Sequence, residues 1–152
     1  MLTVSTYFLY SSTFMNTSGQ WVAMLTEDED DYLFWQYGFK AWAAHFRLEW
    51  FATGNAFFER QALQQNRPGA LLLNGLIPLS EEPNWLAKIL KHVCCQGLNV
   101  IILADLFPDD QRQMYMSLGA VECMILPTTQ RELEQAVRKI IAYTNSNLTE
   151  LE

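Results

Sequence analysis

The chain is 152 residues long, half of them apolar, with 10 basic and 17 acidic side chains and a net charge of -7. That length suits one domain with an ordinary core. An acidic chain without a basic stripe lacks the footprint of a nucleic-acid binder, and no apolar run approaches the ~18 residues of a membrane span.

The charge is unevenly placed. Glu27, Asp28, Glu29, Asp30 and Asp31 are consecutive, Glu150 and Glu152 stand at the end, and residues 1–26 carry no side-chain charge. The body of the chain is therefore neutral and its acidity local. The N-terminus has no basic region and no small-residue cleavage site, so a secretory signal is not expected. Cys94, Cys95 and Cys123 cannot all pair, and adjacent cysteines seldom bridge, so reduced thiols and a cytoplasmic setting are expected. His45 and His92 are far apart and lack zinc-type spacing.

In chain order, residues 1–20 form an apolar extension rich in aromatics, Thr and Ser. Its Tyr7–Tyr10 stretch is expected as a short strand or an arm on a partner. Trp21–Leu25 is a short apolar run and predicts a buried strand. A helix is expected from about Asp30 to Arg47, with Asp30 and Asp31 in its first turn on the favourable end of the dipole. Leu48–Ala52 reads as a strand, 56–65 as a helix, and Ala70–Leu73 as a buried strand ending at Asn74-Gly75. A helix over 84–95 leads to the strand Asn99–Leu103. Pro108 starts a helix that Gly119 stops, and Val121–Ile125 is a fifth strand. Thr128 or Thr129 with Glu132 resembles a capping box for a helix to about Tyr143. The polar residues from Asn145 are expected to fray. The aromatics of 32–51 occupy most faces of their helix, so some must be exposed or cover the N-terminal arm or a second chain.

Nearly continuous apolar strands alternating with helices predict an α/β fold: a flavodoxin-like, doubly wound (βα)5 parallel sheet in three layers. The domain is expected over 21–145, followed by a polar tail over 146–152. In such sheets chemistry gathers at the C-terminal strand ends.

Those ends resemble a response-regulator receiver domain (CheY-like), in particular the small stand-alone receivers. The run Glu27–Asp31 followed by Leu33-Phe34 resembles the acidic metal-binding turn, and Asn74-Gly75-Leu76-Ile77-Pro78 resembles the segment around the phosphorylated aspartate. Ala104 stands 30 residues later where the family has a switch Thr or Ser. Leu126-Pro127 stands 22 further on, in place of Lys-Pro, and Cys123 occupies the position of the switch aromatic.

The resemblance implies acyl-phosphate chemistry in two-component phosphorelay signalling, and the residues present depart from it. Asn74 carries an amide with a delocalised lone pair, Ala104 has no hydroxyl, and Leu126 has no ammonium. The expectation is thus a degenerate, stand-alone pseudo-receiver. It would be no enzyme, and would act by phosphorylation-independent contact with a sensor kinase, an output protein or a second copy. Its candidate surface is 107–118 and 121–143, including Met114, Tyr115 and Met116. No cofactor is required, although Glu27 and Asp28 with the amide oxygen of Asn74 would make a weak Mg²⁺ site. A shift of one residue would put Thr26 and Glu27 in the place of that acidic pair, and Asp105 stands near the same edge. The alternatives are a Mg²⁺-responsive receiver with atypical phosphorylation, or a flavodoxin-like protein that binds a small ligand.

Overall fold

The computed structural model describes residues 20–63, 66–74, 82–92 and 95–151. Expectations for residues 1–19, and for most of the loop after Asn74, fall outside these residues.

Five short strands form one parallel sheet: β1 (Trp21–Leu25), β2 (Arg47–Phe51), β3 (Ala70–Asn74), β4 (Val100–Ala104) and β5 (Glu122–Ile125). The spatial order is β2-β1-β3-β4-β5, with every pair parallel. Five helices connect or follow them: α1 (Glu29–Trp42), α2 (Gly54–Leu63), α3 (Glu82–Lys91), α4 (Asp109–Leu118) and α5 (Gln130–Leu151). The central strands β1 and β3 are buried at every position, as continuous apolar runs covered on both faces require. The edge strands β2 and β5 are buried only in part.

Alternation along each strand feeds two cores. Trp21, Ala23, Leu25, Leu71, Leu73 and Ile102 point to one face, packed against Phe57, Leu86, Ile89 and Tyr115 from α2, α3 and α4. Val22, Met24, Leu72 and Ile101 point to the other, where Trp35 and Phe39 of α1 meet Leu133, Val137 and Ile140 of α5. This is the expected doubly wound, three-layer arrangement. The β5 edge is partly closed, because Arg112 Nη1 of α4 donates to the Cys123 carbonyl at 3.1 Å.

Some boundaries differ from expectation. α1 ends at Trp42 instead of Arg47: Ala43 leaves helical geometry while its N–H caps the Phe39 carbonyl, and Phe46 turns into the core. α3 ends at Lys91. α5 continues to Leu151 past the expected end near Tyr143, since neither Pro nor Gly interrupts 144–151 and the Thr144 hydroxyl bonds back to the Ile141 carbonyl. Its start follows the expected box. The Glu132 N–H donates to Thr129 Oγ1 at 3.1 Å, while the Glu132 carboxylate accepts from the N–H and hydroxyl of Thr128. Those bonds, the Thr128 backbone N–H first, hold the Glu132 carboxyl below its ordinary range. The expectation of reduced thiols is met at Cys123, a buried thiol, and not at the buried Cys95, which is disulfide-bonded.

Candidate functional site

The parallel register brings the candidate residues to one edge. Leu25 pairs with Leu73 and Asn74 with Leu103, so Thr26, Asn74 and Ala104 follow or end three neighbouring strands at their C-terminal ends. Asn74 is 5% exposed, and burying an amide is costly unless its polar atoms find partners.

Its Nδ2 donates to Asp31 Oδ2 at 2.9 Å and makes a longer contact with Thr26 Oγ1 at 3.4 Å. Thr26 is itself tied down: its N–H donates to the Phe51 carbonyl, and its carbonyl accepts from Trp50 Nε1 at 2.9 Å. Trp50 stacks on Tyr32 of α1. Thr26 Oγ1 also accepts the Asp28 N–H.

The acidic run is divided by this geometry. Asp28 is the N-cap of α1, its carboxylate accepting from the Asp30 N–H at 2.9 Å. Glu27, Glu29 and Asp30 are exposed. Asp31 alone of the five reaches Asn74, because position 31 lies one turn before Trp35 and two before Phe39, on the helix face turned to the core. In the sheet register the residue level with Asn74 is Thr26. Asp31 was missed as a site residue, although the spacing 31/35/39 carried the signal.

Burial pushes the Asp31 carboxyl up from its ordinary value of 3.8. The Asn74 hydrogen bond opposes that shift, and the charges of Asp28, Asp105 and Asp30 reinforce it. Among the described residues, no group of three or more His, Cys, Asp or Glu side chains is arranged to hold a metal. The donor set around Asn74 does not fit a Mg²⁺-type cation as it stands. An amide N–H₂ points at the carboxylate that a cation would have to share, and Asp28 has one oxygen engaged in capping.

The other three positions are apolar in character. Ala104 is half-buried and its carbonyl accepts the Leu126 N–H at 2.9 Å, while Cys123 is buried. Leu126 packs against the α1/α5 core and lines a cleft of about 390 Å³ between β5 and α5, together with Met124, Ile125, Glu132, Ala136 and Lys139. Beside this cleft the Tyr143 hydroxyl donates to Glu122 Oε1 at 2.7 Å; burial and that carboxylate push its pKa to about 12. Of the candidate surface residues on α4, Tyr115 is buried, Met114 packs against the core and Met116 is exposed. No described helix is long and apolar enough to cross a membrane.

No protein-family model and no curated protein matches the sequence. Solved structures do match the fold. The phosphorylated cyanobacterial phytochrome response regulator RcpA superposes with a TM-score of 0.69 at 16% identity, over 84% of this chain and 95% of that one. The Mn²⁺-bound form of response regulator Rcp1 gives 0.64 at 17% identity, over 80% and 91%. The beryllofluoride-activated NtrC4 receiver domain dimer gives 0.65 at 11%, over 82% and 98%. The chain thus has the flavodoxin-like (βα)5 fold of response-regulator receiver domains.

Proposed function

We propose that this chain is a pseudo-receiver, a two-component signalling module that works by binding other protein chains in one standing conformation. It is not an enzyme and has no acyl-phosphate switch. The observation that carries this reading is the Asn74–Asp31 hydrogen bond. At the end of β3, the place where such a module would need a carboxylate nucleophile, the chain presents a buried amide whose nitrogen is already committed. An amide does not form an acyl phosphate, and the methyl of Ala104 and the isobutyl group of Leu126 offer nothing to a phosphoryl oxygen. Ligands shift a conformational equilibrium only through differential contacts, which these positions do not provide.

Partner binding then falls to the standing surface. The β5–α5 cleft, with an apolar floor from Met124, Ile125 and Leu126 and with Glu132 and Lys139 among its polar lining residues, suits a side chain of a sensor kinase, an output protein or a second copy.

The test is incubation with acetyl phosphate and Mg²⁺, followed by intact mass and an amide correlation spectrum. An unchanged mass and spectrum are expected. A phosphoryl adduct, or a spectral change abolished by chelator, would overturn the reading in favour of atypical phosphorylation.

A further inference from the structure

α1 has a second apolar face. Leu33, Phe34 and Tyr37 are 48%, 39% and 52% exposed, and Ala41, also exposed, continues the line toward the C-terminal end of the helix. At 100° per residue these four positions share an arc of about 100°, the width of an ordinary buried stripe. The helix's other stripe, Trp35, Gly38 and Phe39, is already packed on the sheet and α5. Among the described residues, the one hydrogen bond to this outer face comes from Gln130 Nε2 to the Tyr37 hydroxyl, at its α5 rim.

The place where the chain enters the domain singles out an occupant. The Arg47 N–H donates to the Gln20 carbonyl, and residues 43–46 join the end of α1 to β2, so Gln20 and the C-terminal end of α1 lie at the same edge of the sheet. Ahead of Gln20 stand 19 residues without a charged side chain, including Tyr7-Phe8-Leu9-Tyr10. From Tyr10 to Gln20 an extended chain reaches about 33 Å. The whole of α1 spans about 21 Å. An uncharged segment can cover an apolar stripe without desolvating a charge. A tether this short also gives it an effective concentration of order millimolar, well above that of a second copy in dilute solution.

We propose that the N-terminal segment, through Tyr7–Tyr10, straps across the Leu33–Phe34–Tyr37–Ala41 face of α1 in its own chain. The inference is independent of the pseudo-receiver reading. Hydrogen exchange of the full chain tests it, with Phe34→Asp and, as a second exposed-site variant, Tyr37→Lys. In the wild type the amides of residues 5–15 should exchange about tenfold or more slower than in an unstructured peptide. That protection should survive about a fiftyfold dilution. Both variants should abolish it while leaving the amides of β1, β3 and β4 protected, which shows that the domain is still folded. Unprotected amides in the wild type would overturn the proposal. So would protection that persists in both variants, or protection lost on dilution together with a dimer, which would assign the face to a second copy.

Discussion

Asn74→Asp is the sharpest perturbation of the site, since it exchanges an N–H₂ for an oxygen with almost no change of shape. The hydrogen bond at 2.9 Å to Asp31 Oδ2 becomes a contact between two carboxylates, in a place only 5% exposed. A hydrogen bond to a charged group contributes about 1.5–3 kcal/mol, and the substitution removes it. Two unit charges about 3 Å apart repel by about 5 kcal/mol at an effective dielectric of ~20. Rotation of the side chains and entry of water relieve part of this, so a net loss of about 2–4 kcal/mol is expected at neutral pH in chelator. Two routes restore the variant: a proton shared by the pair on acidification, or a divalent cation between them. Urea unfolding followed by tryptophan fluorescence reads this directly, because Trp50 is bonded to the Thr26 carbonyl next to Asn74. Wild-type stability should be the same in Mg²⁺ and in chelator, whereas the variant should gain most of its loss back in Mg²⁺ or near pH 5. A variant as stable as wild type in chelator at neutral pH would refute the Asn74–Asp31 contact and the charge argument built on it.

Asp31→Asn should flatten the pH dependence of stability. The folded Asp31 carboxyl is raised above 3.8, so the stability it contributes is present below that value and lost as pH rises through the raised one. Wild type should therefore weaken relative to the variant from acid toward neutral pH, and parallel curves in pH-dependent unfolding would sink the assignment. Gly38→Ala places a methyl 2.9–3.1 Å from the Leu133 side chain, which is fully buried and cannot swing away. Helix propensity returns about 1 kcal/mol and overpacking costs about 1–3, for a net loss of about 1 kcal/mol. Leu133→Ala alone should cost about 3–5 kcal/mol. The double variant should lose at least ~1 kcal/mol less than the sum, and additivity within ~0.5 would contradict the contact. Thr129→Ala removes the acceptor of the Glu132 N–H and should lower stability by about 1 kcal/mol in denaturant unfolding; no change would deny it the capping role.

The strands were legible where burial on both faces leaves an unbroken apolar run, as in Trp21–Leu25, Ala70–Leu73 and Asn99–Leu103. The end of α1 was not, because no Gly or Pro stands between Trp42 and Arg47; the helix stops where Phe46 is drawn into the core. Asn74 was legible as the polar residue ending an apolar strand. Asp31 was not, because five consecutive acids look alike until helix phase decides which faces inward. The bias of the outer α1 face was visible only as an excess of aromatics, some of which had to be left over once the core was filled.

The position of β1 between β2 and β3 also bears on how the domain assembles. A parallel pair cannot be closed by a tight turn, so each contact of β1 requires a whole crossover helix to be gathered in first. Residues 21–74 supply three adjacent strands and both crossovers between them before β4 and β5 exist on a growing chain. Helix α1, however, leans on α5, which is made after all five strands. Its inner face, with Trp35 and Phe39, therefore stays partly uncovered until α5 has been made.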